Sequence, residues 1–298
     1  MEGRWGPVSA GSMAANGTAA VPVVVLAAAV LHAVWNALAH GIKDKLVGFV
    51  LINLGYTGCA AVLACFVPVP GAAAWPFLLT SGLLQVGYQA LLLQAYRLGD
   101  FGQMYPIARG TSPLLVAVVS ATVLGQSPGA GGVVGVAVIC CGLVGLALAD
   151  GVPGRAQLPA LAAAVGTGVL IASYTVVDGT GVRQSSTVLG YIVWSFLCQG
   201  PVLPLVAWGL RGRALAGQLR PVCRVGLAGG VLSMLAYGLV VWAQDRGNLA
   251  TVAALRETSI VIAALIGALV FRERLGGRRM AASAVVLAGI GVMELAHL

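Results

Sequence analysis

Ten apolar stretches restrict the fold of this chain more than any other feature of its sequence. Each is close to the length of about 20 residues that an α-helix needs to cross the hydrocarbon core of a bilayer. Backbone polar groups in that layer must be bonded internally, so a spanning segment is helical unless strands close into a barrel. We therefore predict an all-α integral membrane protein with ten transmembrane helices. The predicted spans are residues 21–40, 46–67, 76–98, 104–124, 131–149, 158–179, 187–210, 221–244, 248–271 and 280–296.

The composition agrees with this class. Of 298 residues, 59% are hydrophobic and only 9% are charged, whereas a soluble domain carries about 25% charged residues. The connections between the apolar stretches are short and rich in Gly and Pro, which leaves no room for an extramembrane domain. Residues 1–19 are rich in Gly, Ser and Ala and are expected to form a flexible N-terminal segment. The formal charge of +8 is distributed over the loops, which argues against a nucleic-acid partner.

The chain also repeats itself. At an offset of 147 residues (256 − 109), Arg109-Gly110-Thr111-Ser112 aligns with Arg256-Glu257-Thr258-Ser259, and at an offset of 139 residues Trp35-Asn36 aligns with Tyr174-Thr175. A repeat of five helices is odd in number, so its second copy enters the membrane from the opposite side. We predict two inverted five-helix repeats, residues 20–150 and 157–298, an arrangement in which secondary transporters hold their substrate near the midplane.

The charges of the loops favour one orientation. Arg4, Arg183 and Arg246 belong to one set of termini and loops, and the opposite set holds twelve Lys and Arg residues. Because the richer side is normally cytoplasmic, the charge distribution predicts that both termini lie outside.

Four segments of the chain resemble the EamA-type branch of the drug/metabolite transporter superfamily. They are HAVWNALAHGIKD in the first helix, PIARGTSPLL in the fourth, SYTVVDGTGVR in the sixth and LRETSIVIAALIGALVFRERL in the ninth. The resemblance covers nearly the whole chain as two EamA-like halves. It implies ten helices around a central cavity and the transport of small molecules, often the export of amino acids or related metabolites. Relatives are generally drawn with both termini in the cytoplasm, in contrast to the orientation that the charges predict.

Arg109 and Arg256 are the strongest candidates for substrate contact. A charge inside hydrocarbon costs about 2.5–3.5 kcal/mol on insertion scales, so it usually faces a partner or a water-filled cavity. The planar guanidinium can bind a carboxylate through two hydrogen bonds, which suits an anionic substrate group. Two alternatives stay open: Arg109 could extend to the membrane interface, and either arginine could join helices through a fixed ion pair.

Glu257 and Asp178 are the candidate counter-charges, and either could carry a proton for coupled transport. Adjacent residues on a helix point about 100° apart, so Glu257 is expected to face away from Arg256 and to meet another helix. A purely structural ion pair is the alternative for both acids. Asp178, which is followed by Gly179 near the end of its predicted helix, could also be an interfacial cap.

Trp35, Asn36 and Tyr174 are further candidates for the substrate site, because aromatic walls with an amide suit a small zwitterion. Packing between helices is the alternative. His32 and His40 lie on roughly one helix face, but without a third ligand they do not predict a metal site.

Proline residues predict irregular helices. Pro106 and Pro113 in the fourth span, and Pro201 and Pro204 in the seventh, are expected to kink or break them. Gly226 and Gly230 are spaced as in a close contact between two helices.

Together these features predict a secondary active transporter in the plasma membrane, with many membrane passes. It is expected to export an amino acid or a related carboxylate or amphipathic compound by alternating access between the two repeats. A lipid or lipid-carrier flippase is the alternative, followed by an integral-membrane enzyme, although no cluster of carboxylates or histidines supports catalysis. No GxxxxGK loop for nucleotide binding occurs, and no cofactor is predicted. The expected partners are a small-molecule substrate and the lipid bilayer, with a homodimer left open.

Overall fold

The structure, a computed structural model, describes residues 10–99, 101–126, 129–149, 151, 154–270 and 276–295. Helices make up nearly all of these residues, and no strand occurs among them. Within this part of the chain, seven helical segments are long and apolar enough to cross a membrane. They are Ala20–Ala39, Lys45–Ala64, Ala72–Leu98, Gly129–Ala147, Arg155–Gln184, Val188–Arg211 and Ala214–Arg246.

The helices follow the predicted spans closely in the first half of the chain. They are α1 (Ala10–His40), α2 (Lys45–Ala64), α3 (Trp75–Leu98), α4 (Phe101–Thr122) and α5 (Gly129–Ala147). The first helix begins earlier than predicted, because residues 10–19 of the segment expected to be flexible belong to α1. Residues 1–9 lie outside the described part.

The second half is more divided than its sequence suggests. It contains α6 (Leu158–Gln184), α7 (Val188–Gln199), α8 (Val202–Arg211), α9 (Ala214–Leu219), α10 (Cys223–Arg246), α11 (Leu249–Arg256), α12 (Thr258–Val270) and α13 (Gly277–Leu295). The predicted span 187–210 thus corresponds to two helices, and a short helix, α9, lies in the following connection.

Polar side chains fix the starts of three helices by accepting hydrogen bonds from free backbone N–H groups. Asp44 accepts from the N–H groups of Leu46 and Val47 at the start of α2, at 3.0 and 3.2 Å. The side chain of Thr187 caps α7 in the same way, and that of Asn248 caps α11. These caps explain why the helices begin where the polar loops end.

The prolines act differently in the two halves. Pro201 follows Gly200 at the break between α7 and α8, as expected of a residue that lacks a backbone N–H. Pro204 lies in the first turn of α8, where the missing N–H has no helical acceptor to lose. In contrast, α4 continues without a break through Pro106 and Pro113, so of the two predicted outcomes, a kink or a break, the break does not occur.

The span 248–271 was predicted as one helix, and this is wrong for its described residues, 248–270. The helix α11 ends at Arg256, and α12 begins at Thr258. Around Glu257 the backbone tightens, because its N–H bonds to the Ala254 carbonyl at 3.1 Å and its own carbonyl accepts from Ile260 at 3.0 Å. Both bonds span three residues instead of the four of an α-helix, which changes the direction in which neighbouring side chains point.

The two halves of the chain pack against each other through most of their helices. The most extensive contacts join α5 to α13, α3 to α6, α1 to α10, α4 to α6 and α2 to α10. The contact of α2 with α10 confirms the close approach predicted at Gly226 and Gly230, since a Cβ on Gly230 would lie 2.8 Å from the Cα of Gly55. This interlocking places the inner faces of α1, α2, α3, α4, α6 and α10 around a shared interior.

Candidate functional site

Two adjoining cavities lie in this shared interior. They enclose about 710 and 590 Å³, including space continuous with the exterior. Five residues line both: His32, Trp35, Phe49, Tyr88 and Arg109. Aromatic side chains and a few polar groups line both cavities, as in many small-molecule sites.

The first cavity extends toward the start of α2, and the second toward α7 and α10. The first adds Asn36, Ala39 and Lys45 to the shared residues. Side chains from α2, α3, α6, α7 and α10 complete the second, among them Asn53, Gln85, Tyr174, Gln199 and Tyr237.

A buried charge cluster stands at the wall of these cavities. One carboxylate oxygen of Glu257 lies 2.9 Å from Nε of Arg109, and the other lies 3.2 and 3.3 Å from the guanidinium nitrogens of Arg256. Arg109 also donates to the hydroxyl of Ser259 at 3.3 Å. The two Arg-x-Thr-Ser motifs are therefore in direct contact across the two halves of the chain.

Glu257 lies at the turn between α11 and α12. The sequence predicted that Glu257 would face away from Arg256 and meet another helix. The first part is wrong, because Glu257 pairs with Arg256 at 3.2 Å, and the second is confirmed, because Glu257 also reaches Arg109 on α4. In the first motif the position equivalent to Glu257 is Gly110, so two arginines share one carboxylate.

The arginines differ in their relation to the cavities. Arg109 lines both cavities and is only 8% exposed, so the alternative in which it extends to the membrane interface is wrong. Arg256 is 1% exposed, pairs with Glu257 at 3.2 Å and is not among the residues that line the cavities.

Trp35, Asn36 and Tyr174 all border the cavities. Trp35 lines both, and its indole N–H donates to Nδ1 of His32 at 3.0 Å. The amide of Asn36 donates to the carbonyl of His32 at 2.7 Å. Tyr174 packs edge to face between Tyr88 and Tyr237, with ring centroids 5.7 and 6.1 Å away. These aromatic side chains form apolar walls of the kind that surrounds small ligands.

Asp178 lies apart from the charge cluster. It is fully buried within α6, which continues to Gln184, so the alternative in which it caps a helix at the interface is wrong. It accepts hydrogen bonds from the hydroxyls of Tyr191, at 2.9 Å, and Tyr237, and from the amide of Gln85 at 3.5 Å. No cation forms an ion pair with Asp178 among the described residues.

Sequence reasoning missed a set of amides along the second cavity. Asn53 donates to Gln89 at 2.9 Å and accepts from the hydroxyl of Tyr56. Gln199 is 2% exposed, and its amide nitrogen finds no hydrogen-bond partner in the described part of the chain. A signal existed in the spacing of Gln85 and Gln89, which are four residues apart and therefore share one face of α3.

Metal ligands do not gather in this region. Throughout the residues that the structure describes, no group of three His, Cys, Asp or Glu side chains lies close enough to hold a metal ion.

Comparisons with known proteins identify part of the chain. Residues 158–295 match the model of the EamA-like transporter family. No curated protein shows significant similarity to the chain. Twenty-nine chains of solved structure do, and one of them, a crystal structure, superposes with a TM-score of 0.74 over 93% of this chain and 99% of its own. At 20% identity this likeness establishes the fold alone.

Proposed function

We propose that this multi-pass membrane protein, whose residues 158–295 match the EamA-like transporter family of the drug/metabolite transporter superfamily, is a secondary active transporter that exports a small polar metabolite. The substrate carries a carboxylate, as an amino acid or a related amphipathic acid does. Transport proceeds by alternating access of the cavities to the two sides of the membrane.

The observation that carries this proposal is the buried guanidinium of Arg109 at the border of both cavities. It pairs with Glu257, which also pairs with Arg256. A substrate carboxylate in the cavities accepts hydrogen bonds from guanidinium N–H groups. The aromatic side chains of Trp35 and Tyr174 then provide apolar contact for the rest of the substrate.

We further propose that the chain forms ten spans in two inverted repeats, with α1 to α5 matching α6, α7–α8, α10, α11–α12 and α13 in that order. The pattern of helix contacts supports this. If the two repeats are exchanged, the contact of α3 with α6 becomes the contact of α10 with α1. In the same way, the contact of α4 with α6 becomes the contact of α12 with α1. All four contacts occur in the structure. The contact of α5 with α13 converts into itself, as a two-fold axis requires.

Of the two buried acids, Asp178 is the better candidate for proton coupling. Glu257 pairs with two arginines, so its protonation would weaken two ion pairs at once. Asp178 can take up a proton without breaking an ion pair. The groups that face it are Tyr191 of α7, Tyr237 of α10, and Gln85 and Ser81 of α3.

Among the residues that the structure describes, no other element that packs on α6 brings a cation into an ion pair with Asp178. The helix α11 presents Leu249 against the neighbouring Gly179. A change in the protonation of Asp178 therefore alters mainly the bonds that tie α6 to α3, α7 and α10.

Counterflow in proteoliposomes tests the function. Purified protein is reconstituted with a panel of amino acids, organic acids and cationic drugs, and exchange of labelled compound is measured. We expect exchange of carboxylates, and a loss of at least tenfold in Arg109→Ala, since a lost charge-assisted hydrogen bond costs about 1.5–3 kcal/mol. Arg246→Ala is the matched control, because Arg246 is exposed and lies over the ring of Trp242.

Three results would contradict the proposal. The panel could show no exchange, the preferred compounds could be cations without a carboxylate, or folded Arg109→Ala could match the Arg246→Ala control. Movement of fluorescent lipids without exchange of any metabolite would favour a flippase instead.

A further inference from the structure

His32 on α1 is a cavity residue to which the proposed function has so far given no role. Its side chain is buried to 6% exposure, yet it lines both cavities together with Arg109. Its Nδ1 accepts a hydrogen bond at 3.0 Å from the indole N–H of Trp35, three residues further along the helix. The two rings meet edge to face, with centroids 6.0 Å apart and planes at 76°.

This hydrogen bond determines which ring nitrogen of His32 carries the proton. An indole N–H can only donate, so Nδ1 has to offer its lone pair. The proton of the neutral imidazole therefore lies on Nε2. A proton on Nδ1 would set two donors against each other and break the bond with Trp35.

The second nitrogen of His32 has no such partner. In the part of the chain that the structure describes, no residue forms a hydrogen bond with Nε2. The backbone carbonyl of His32 accepts from Asn36 at 2.7 Å, which engages the next polar side chain of α1 locally. Nε2–H is thus the one polar group of this side chain that remains for a molecule in the cavities.

A neutral donor suits this position for an electrostatic reason. The wall of the cavities already holds two arginines with one carboxylate between them. An imidazolium beside them would add a third positive charge, which is strongly repelled in an interior of low dielectric constant. A neutral N–H contributes a directed hydrogen bond without that cost.

We propose that His32, held by Trp35 as the neutral Nε2–H tautomer, determines substrate specificity by binding the same carboxylate that Arg109 attracts. The guanidinium supplies charge, and the imidazole N–H fixes the orientation of the carboxylate. Trp35 is the positioning residue, since its N–H selects the tautomer. The substrate part of this proposal rests on the proposed transport function, whereas the tautomer does not.

Nuclear magnetic resonance of the imidazole nitrogens tests the tautomer. The chain has three histidines, and the substitutions His40→Asn and His297→Asn leave only His32. The full chain with both substitutions is labelled with ¹⁵N-histidine and placed in lipid nanodiscs. We expect a protonated Nε2 and a bare Nδ1 at neutral pH. Trp35→Phe should lose this preference and show a mixture of tautomers. A proton on Nδ1, or a charged ring, in the protein with Trp35 overturns the assignment.

Addition of benzoate to the same sample tests the carboxylate contact, with tetramethylammonium chloride at equal ionic strength as the control. We expect the Nε2 resonance to shift saturably with benzoate and not with the cation, and Arg109→Gln to remove the shift. An unchanged resonance up to saturating benzoate, or equal responses to both salts, contradicts the proposal.

Two substitutions carry the test into transport. The amide nitrogen of His32→Gln reaches the place of Nε2, whereas that of His32→Asn reaches only the place of Nδ1. For a transported carboxylate we expect His32→Gln to stay within about threefold of wild type and His32→Asn to raise the KM about tenfold, as for one lost hydrogen bond to a charged group. Equal KM values for both variants and wild type overturn the role of His32 and leave the transport function intact.

The opposite result separates the two proposals. If benzoate shifts the Nε2 resonance but proteoliposomes exchange nothing, the transport function fails and the binding role of His32 stands.

Discussion

The charge cluster of Glu257, Arg109 and Arg256 leads to a quantitative prediction for Glu257→Gln. The substitution keeps the shape of the side chain but removes the carboxylate charge that pairs with two buried guanidinium groups, and its amide N–H groups would face donors. Breaking a buried ion pair from one side typically costs about 3–5 kcal/mol. Because Glu257 forms ion pairs with two arginines and its side chain is 0% exposed, we expect the free energy of unfolding to fall by about 4 kcal/mol.

The assay is a titration with sodium dodecyl sulfate in mixed micelles, followed by circular dichroism. A second variant, Arg109→Met, and the double variant complete a thermodynamic cycle. If the pair interacts as its distance of 2.9 Å indicates, Arg109→Met should cost about 2 kcal/mol less in the Glu257→Gln background than alone.

Asp245→Asn is the matched control for this experiment. Asp245 also pairs with the next residue, Arg246, at 3.1 Å, but both side chains are partly exposed. A surface pair of this kind contributes about 0–1 kcal/mol. The reasoning is refuted if Glu257→Gln costs no more than Asp245→Asn, or if the cycle shows no coupling between Arg109 and Glu257.

Three further predictions concern other parts of the molecule. Asp44→Ala should lower the free energy of unfolding by about 1 kcal/mol through loss of the α2 cap, and Asp44→Asn by less. The hydrogen bond from Arg211 lowers the pKa of Asp44. Wild type should therefore have a higher free energy of unfolding than Asp44→Asn above the unfolded-state pKa of about 3.9, and this difference should vanish as the pH falls through the lower folded-state pKa. Unfolding titrations at pH 7 and at lower pH measure it. Gly230→Ala should cost about 1–3 kcal/mol in the same unfolding assay because its Cβ meets backbone, whereas Gly58→Ala, which meets open space, should not destabilise. Asp178→Asn should abolish uptake driven by a pH gradient and preserve counterflow; unchanged gradient-driven uptake would contradict its role in coupling.

The charge pair of Asp44 and Arg211 shows how a local prediction and a tertiary contact combine. That Asp44 precedes a helix could be read from the sequence, because an acidic residue before an apolar run is a typical cap. Its bond to Arg211 at 2.5 Å joins α2 to α8 across 167 positions, and no local pattern indicates it.

The candidate site was predictable in its parts. Intramembrane charge singled out Arg109, Arg256, Glu257 and Asp178, since each is costly in hydrocarbon. Their grouping was not predictable: Glu257 belongs to the arginines, whereas Asp178 belongs to tyrosines of α7 and α10. The amides of α3 and the hydrogen bond between His32 and Trp35 were not predicted. Neutral polar side chains cost less free energy in a membrane helix than charged ones, so the sequence does not single them out.

By itself, the sequence determined the helical class, the membrane environment and the helix boundaries set by caps and prolines such as Asp44 and Pro201. These properties depend on composition and on neighbours within a few residues. Only the tertiary structure decided that the helix through Glu257 breaks, and that Arg109 meets Ser259 from 150 positions away. Glu257 lies at a turn without Pro or Gly, and its carboxylate pairs with the preceding residue, Arg256, and with Arg109 on α4. The contact with Arg109 exists only in the packed molecule and in no local stretch of its chain.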